Sequence, residues 1–210
     1  MILSIVFYTI TIIYTLMSVF YFITADNFSF SASDYFLVFL AGGTVFLILR
    51  LFIKKISEFF EFIETFTHEY THLIFSFITF TKVYSFHSTM KSGGEIKTSR
   101  INPLIALAPY TVPLPVIIVG ILFLLIKDIY YMPACFIAGA FYFQFIYIVI
   151  ADLRVDNQPD LKKYGYLLSL TLILFSISFF SIILYILLNY SPSLLMDIPV
   201  ETFSRIMEAL

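Results

Sequence analysis

Long apolar stretches limit what this chain can fold into more than any other feature. A membrane-spanning helix needs about 20 predominantly apolar residues, and residues 2–24, 35–53, 132–151 and 164–190 each provide such a stretch. Of the 210 residues, 60% are hydrophobic and only 12% are charged, which leaves too few ionic side chains to coat a soluble globule. The sequence therefore predicts an all-α fold, a polytopic bundle of membrane helices.

Two further apolar stretches are irregular. Residues 59–80 include several ionisable side chains. Residues 101–126 contain four prolines: Pro103, Pro109, Pro113 and Pro115. Proline lacks the amide hydrogen and clashes with the preceding turn, so this second stretch must be interrupted. Counting both stretches, we expect about six hydrophobic segments in a single integral-membrane domain, residues 1–190.

The two ends of the chain have different characters. Residues 2–24 have no basic segment before the apolar run and no small-residue cleavage pattern, so we expect a retained first span rather than a cleaved signal peptide. Residues 191–210 place several apolar side chains on roughly one helical face: Val200, Phe203, Ile206, Met207 and Leu210. Such a face predicts a short amphipathic C-terminal tail, a helix lying on the membrane surface.

The pentapeptide His68-Glu69-Tyr70-Thr71-His72 carries the clearest chemical signal. Positions four apart share one face of a helix, so His68 and His72 can offer two nitrogen ligands to one zinc ion. Glu69 lies beside them and can act as a general base towards water. Ionisable side chains in a membrane span are costly and usually functional. This cost favours Zn²⁺ binding over the alternative, in which the three side chains only satisfy one another inside a bundle.

A hydrolytic zinc site takes three protein ligands and keeps one position open, so a third ligand must come from elsewhere in the chain. The candidates are three aspartates: Asp152, Asp156 and Asp160. We prefer Asp160, because the proline in Asn157-Gln158-Pro159 breaks the approach to the following span and can turn a carboxylate inward. Asp152, at the end of the preceding span, remains open as an alternative.

Three other residues each have two interpretations. Glu64 lies one turn before His68 and can accept a hydrogen bond from its ring, or it is a glutamate solvated at the headgroup level, which we favour. His87 is an extra ligand or proton-transfer group, or an exposed polar residue on a strand, and we favour the strand residue. Cys135 is the one cysteine, which excludes an intramolecular disulfide, and we expect it to be a small apolar residue in a span.

Residues 81–100 are polar and predict a β-hairpin between two apolar segments. Residues 82–90 have the composition of an extended strand, and residues 95–98 return. Between them, Lys91-Ser92-Gly93-Gly94 predicts the turn, because paired glycines supply the positive φ angles of tight hairpins. An unpaired strand edge in lipid is unfavourable unless protein or a peptide covers it. A substrate peptide added as an extra strand would cover it.

The middle of the chain, residues 66–165, resembles the site-2 protease-like intramembrane zinc metalloproteases, including their small bacterial and archaeal relatives. The shared features are His68-Glu69-x-x-His72 at the start of a membrane helix, the polar hairpin around Gly93-Gly94, Ala108-Pro109-Tyr110 before the next span, and an aspartate after a further span.

The resemblance implies that His68, His72 and Asp160 bind Zn²⁺ and that Glu69 activates water. It also implies that the substrate is a membrane-spanning peptide, unwound beside an edge strand. The expected location is the prokaryotic cell membrane.

Charge and crossing parity set the expected topology. Basic residues follow the second span, whereas the first connection has none, so the N-terminus and the Lys54 side are expected to be cytoplasmic. If residues 59–80 and 101–126 each cross the membrane once, Asp160 ends on the face opposite the start of the zinc-motif helix. A re-entrant hairpin, or a broken segment around residues 109–115, restores a common side.

These features predict a zinc-dependent endopeptidase that hydrolyses a peptide bond in a membrane-anchored substrate, with its site inside the bilayer near one face. The expected partners are the lipid bilayer and a membrane-anchored protein or peptide, and no nucleic acid. Two alternatives from other classes remain. One is a catalytically silent scaffold that binds transmembrane segments, and the other is a transporter in which His and Asp residues form a proton or metal path.

Overall fold

The computed structural model describes residues 1–24, 32–89, 93–123, 130–154, 158–190 and 192–209. Within these ranges the chain is mostly helical and contains a two-stranded sheet. Its elements, in chain order, are α1 (Ile2–Thr24), α2 (Asp34–Phe52), α3 (Lys54–Ile78), β1 (Val83–Thr89), β2 (Gly93–Thr98), α4 (Pro103–Thr111), α5 (Leu114–Phe123), α6 (Tyr131–Leu153), α7 (Pro159–Lys163), α8 (Tyr166–Asn189) and α9 (Leu194–Ala209).

Four of the described helices, α1, α2, α6 and α8, are long and apolar enough to cross a membrane. The bent pair of α4 and α5 adds a fifth crossing if it counts as one span. The chain is therefore a membrane protein, and the predicted helical bundle with a small β-hairpin is confirmed. The expected count of about six hydrophobic segments is not confirmed, because α3 is not among the helices that meet the span criteria.

Glycines allow helices α2 and α6 to pack closely. A Cβ atom added at Gly42 of α2 would lie 1.9 Å from the backbone oxygen of Phe136, and one at Gly139 of α6 would lie 1.9 Å from that of Phe39. Any larger residue at either glycine would force the two backbones apart. Small residues at helix crossings are typical of membrane bundles, because helices surrounded by lipid gain little from burying apolar surface and associate through close packing instead.

Helix α3 runs unbroken from the charged residues after α2 to the apolar residues beyond the His68–His72 motif. It ends at Ile78, and Phe80 then takes a left-handed conformation with φ of 51°. The Thr81 amide donates a hydrogen bond to the Ser76 carbonyl at 2.8 Å, which is a common way of closing a helix C-terminus. The chain reverses there, so β1 and β2 pack back against α3.

Strands β1 and β2 pair antiparallel, but the glycines do not form the turn. Gly93 and Gly94 both lie inside the ladder, and Gly165 is the glycine with positive φ in the described part of the chain. The predicted turn role of Gly93 and Gly94 was therefore wrong, and residues 90–92 lie outside the described residues. Gly94 instead provides space, since a Cβ atom there would lie 2.1 Å from Cγ of Glu69.

Helix α4 lies at the centre of the bundle, and its residues from Leu104 to Thr111 are all buried. Asn102 caps its N-terminus, where its side chain accepts a hydrogen bond from the Ile105 amide at 3.0 Å. The axes of α4 and α5 differ by 71°, so the interruption predicted from the prolines is present. Helix α4 packs against α1, α3, α7 and α8, and it thereby connects the two parts of the site described below.

The last elements are held in place by a few buried side chains. Helix α7 starts at Pro159 and is anchored by Leu161, which is buried in the core. Gly165, with φ of 89°, turns the chain from α7 into α8. Helix α9 packs along α1 through its buried residues Ile198 and Thr202. The C-terminal tail is thus a helix held against the bundle. Of the apolar face predicted from its sequence, Val200, Phe203, Ile206 and Met207 are exposed, and Leu210 lies outside the described residues.

Candidate metal centre

Helix α3 carries His68 and His72 on one face. Their ring centroids are 4.9 Å apart with an angle of 72° between the rings, an arrangement that two positions four residues apart on a helix allow. Only 6% of His72 is exposed, and 18% of the His68 side chain is exposed. Because both rings are largely removed from bulk water, their nitrogens need partners inside the protein.

The carbonyl of Ile105 in α4 orients the His72 ring. It lies 2.7 Å from Nδ1 of His72, so Nδ1 donates a hydrogen bond to it and Nε2 is the ring nitrogen left to face a metal ion. A helix carbonyl normally accepts from the amide four residues later, which here belongs to Pro109 and carries no hydrogen. The proline thus frees the acceptor that holds His72, and a carbonyl behind the imidazole is a usual arrangement at metal sites.

Asp160 lies on the side of His72 that Nε2 faces. Its Oδ2 is 3.6 Å from Nε2 of His72, and the ligand atoms of His68, His72 and Asp160 all lie within 4.8 Å of one another. Ligand atoms about 2.1 Å from one ion at tetrahedral angles are about 3.4 Å apart. The three side chains therefore fit a single zinc ion after a small contraction.

The bend between α4 and α5 accounts for this meeting of distant residues. Complete crossings by both α3 and the α4–α5 segment would, together with α6, make three crossings and leave Asp160 on the face opposite the start of α3. Instead, α4 packs against both α3 and α7, and Asp160 in the first turn of α7 reaches His72. The bent pair is a broken span or a re-entrant loop, and both arrangements were considered from the sequence.

Asp160 is in the ionised form that a metal ligand requires. Burial raises the pKa of its carboxyl group, but the neighbouring His72, His68 and Lys163 outweigh burial and hold this pKa below its usual range. A carboxyl group with a lowered pKa is a carboxylate at neutral pH. Asp160 can therefore offer an anionic oxygen to a cation without first losing a proton.

Asp152, the alternative ligand, lies behind His68. Its Oδ2 is 3.9 Å from Nδ1 of His68, and it projects from the last turn of α6. The group of possible metal ligands found among the described residues includes Asp160 and not Asp152. Asp152 therefore stands where a carboxylate can orient a metal-binding histidine. The third candidate, Asp156, lies outside the described residues.

Glu64 has neither of the roles considered from the sequence. Its Oε1 is 3.3 Å from Nε of Arg50, and its side chain is only 15% exposed, so it forms a partly buried ion pair between α2 and α3. The favoured interpretations of two other residues are confirmed. His87 is exposed on β1, and Cys135 is buried in α6 without a disulfide partner.

Glu69 lies between the metal ligands and the hairpin. The backbone of Gly94 in β2 packs directly against its side chain, and His72 and Asp160 are close enough for their charges to act on its carboxylate. An open cleft of about 450 Å³ reaches this region between α3 and α6. The cleft is lined by Glu61, Glu64, Thr65, His68, Glu69, Ile148, Ala151, Asp152 and Gln158. Water and a polar backbone can therefore reach the site.

Two groups at the site were missed from the sequence. Tyr110 is buried, and its ring meets His68 edge-on with 5.2 Å between the centroids. Gln144 lines a small cavity beside His68. Gln144 did leave a signal, since it is a lone amide inside the apolar run of α6, where a polar side chain is costly. Tyr110 stood out in the sequence only within Ala108-Pro109-Tyr110 before a span, and that pattern gave no role to its side chain.

Comparisons of the chain with models of protein families, with curated proteins and with solved structures found no match. The chemistry of the site therefore has to be argued from its own residues. Among the described residues, two imidazoles and an ionised carboxylate come together, with a glutamate beside them at the edge of a polar cleft. Two histidines and a carboxylate are a donor set that Zn²⁺ uses in hydrolases.

Proposed function

We propose that this protein is a zinc-dependent intramembrane endopeptidase that hydrolyses a peptide bond in a membrane-anchored substrate. One observation carries the proposal: Asp160 approaches His68 and His72 so that their ligand atoms lie within 4.8 Å of one another, with Glu69 alongside. An ion held by three protein ligands keeps a fourth position open for chemistry, whereas structural zinc sites are usually closed by four.

Bound by His68, His72 and Asp160, a zinc ion would supply Lewis acidity towards the attacking water and the substrate carbonyl. Glu69 takes a proton from the attacking water, whose oxygen forms a bond to the carbonyl carbon of the scissile peptide. Glu69 then passes that proton to the leaving nitrogen as the C–N bond breaks. Glu69 is then a carboxylate again, and the products are a carboxyl group and an amine.

The hairpin beside Glu69 supports the choice of a peptide as substrate. Each strand of a two-stranded sheet has one edge that does not face its partner, and a peptide in an extended conformation can add to such an edge through backbone hydrogen bonds. Because Gly94 brings β2 against Glu69, a peptide added to this sheet passes close to the proposed base. Strand addition also unwinds the substrate, which frees carbonyls that a helix would keep hydrogen-bonded.

We place the second half of α3 in the bilayer. Added to the four spans and the bent pair of α4 and α5, it makes six hydrophobic segments. Five of the six Lys and Glu residues of α3 lie in its first half, whereas the residues after His72 are apolar except for Ser76. At the end of the helix, Phe77 is 62% exposed and Phe80 is 92% exposed, which suits contact with lipid. The site then lies near one face of the membrane. By its resemblance to the site-2 protease-like family, we assign the protein to a prokaryotic cell membrane.

The test replaces Glu69 by Gln, which removes the base but none of the proposed metal ligands. We expect Glu69→Gln to abolish cleavage of a membrane-anchored peptide while the purified protein still binds one zinc ion. Glu58→Gln is the matched control, because Glu58 is exposed on the same helix, and it should retain full activity. Persistent cleavage by Glu69→Gln would remove the main support for the protease. Readily exchanged metal without cleavage in the unaltered protein would favour the transporter.

A further inference from the structure

A small cavity lies beside His68. Its volume is about 30 Å³. It is bounded by α3, by the break between α4 and α5, and by α6, through Thr67, His68, Thr71, Pro109, Val112, Pro115, Phe141, Gln144, Phe145 and Ile148. A water molecule needs roughly 10–15 Å³ of such space. The cavity can therefore hold one or two waters but no amino-acid side chain of a substrate.

Gln144 contributes a hydrogen-bond donor that has no protein partner. The residue is only 3% exposed, and its Nε2 is buried without an acceptor among the described residues. A buried amide without a partner is unfavourable, and most such groups are satisfied by protein or by an ordered water. Gln144 also lines the cavity, so this unpaired donor belongs to a residue in the wall of a space that can hold a ligand.

Acceptors for that ligand are present on the opposite wall. The Thr67 hydroxyl donates to the Ile63 carbonyl at 2.8 Å, and the Thr71 hydroxyl donates to the Thr67 carbonyl at 2.7 Å. Each hydroxyl has thus committed its one hydrogen to the helix backbone, and its oxygen retains lone pairs that can accept. A molecule bound between these threonines and Gln144 must accept a hydrogen bond from Gln144 and donate hydrogen bonds to the threonine hydroxyls. Water can do both.

We propose that this cavity is a binding site for a single water molecule, held by Gln144, Thr67 and Thr71. His68 lines both this cavity and the open cleft, so the bound water lies next to a proposed metal ligand. A hydrolase buried in lipid consumes water in a place where water is scarce. We therefore assign the site a second role, as a local store of water for hydrolysis, and this role rests on the proposed function.

The site itself is tested by structure determination at a resolution that shows ordered water. We expect density within hydrogen-bonding distance of the Gln144 amide in the unaltered protein, and loss of that density in Gln144→Met, which keeps the side-chain length but removes the donor. Ser176→Ala is the control, because it removes another buried polar group on α8, outside the cavity, that has no partner among the described residues, and it should keep the density. An empty cavity in the unaltered protein would overturn the proposal.

The second role is tested by kinetics on the same variants. We expect Gln144→Met to lower kcat, with KM and zinc content unchanged, and Ser176→Ala to leave all three unchanged. An unchanged kcat in a Gln144→Met protein that has lost the water would refute the role as a water store and leave the binding site standing. The density does not depend on proteolysis, so failure of the proposed function, judged with Glu69→Gln, is distinguishable from failure of the water site.

Discussion

The roles of Asp160 and Asp152 yield the sharpest prediction, because the two carboxylates lie on different sides of the histidine pair. Asp160 faces Nε2 of His72 at 3.6 Å, where we propose that it is the third metal ligand. Asp152 faces Nδ1 of His68 at 3.9 Å, where it can only orient a ligand. Replacing each by Asn removes the negative charge but nearly preserves the side-chain shape.

The two substitutions should differ in magnitude. Loss of a carboxylate behind a metal-binding histidine typically weakens metal affinity about 10–100-fold, which corresponds to about 1.4–2.8 kcal/mol at 25 °C. Asp152→Asn should fall in that range. Asp160→Asn removes one of three direct ligands and should weaken zinc binding beyond it, so that the purified protein no longer retains the metal.

The assay is competition for zinc with a chelator of known affinity, using the purified protein in detergent or nanodiscs. Asp197→Asn is the matched control, because Asp197 is exposed on α9, and its zinc affinity should equal that of the unaltered protein. If Asp152→Asn loses the metal while Asp160→Asn keeps it, the assignment is wrong and the third ligand lies at the end of α6. If both keep it fully, neither carboxylate is a ligand.

Two further predictions concern the hairpin and the packing of the bundle. Proline at Phe86 or Ile96 should impair cleavage more than alanine at the same position, because only proline deletes a backbone hydrogen-bond donor. Cleavage assays on folded variants test this. Equal effects of proline and alanine would count against strand addition. Gly139→Ala should lower the thermal unfolding midpoint, because the added Cβ would lie 1.9 Å from a backbone oxygen of α2. Gly120→Ala, with no atom within 4 Å of its added Cβ, should be neutral or stabilising by up to about 1 kcal/mol, and a similar loss of stability in both variants would contradict the packing argument.

Several features of this protein follow from the sequence by itself, because they depend on residues close together in the chain. The lengths of α1, α2, α6 and α8 follow from uninterrupted apolar runs, since an apolar helix satisfies its own backbone wherever it lies in lipid. The shared face of His68 and His72 follows from the helical repeat. The break between α4 and α5 follows from prolines that cannot donate.

Other features were decided by the tertiary structure, because they depend on which surfaces pack together. The sequence favours Asp160 as a ligand but leaves Asp152 open, and only the packing of α4 against both α3 and α7 determines that Asp160 faces His72. The glycines of the hairpin likewise suggested a turn, whereas the approach of Glu69 shows why Gly94 has no side chain. A local sequence pattern indicates the conformation that a segment prefers. It does not indicate how far that segment lies from residues distant in the chain, and those distances determine which carboxylate meets the histidines.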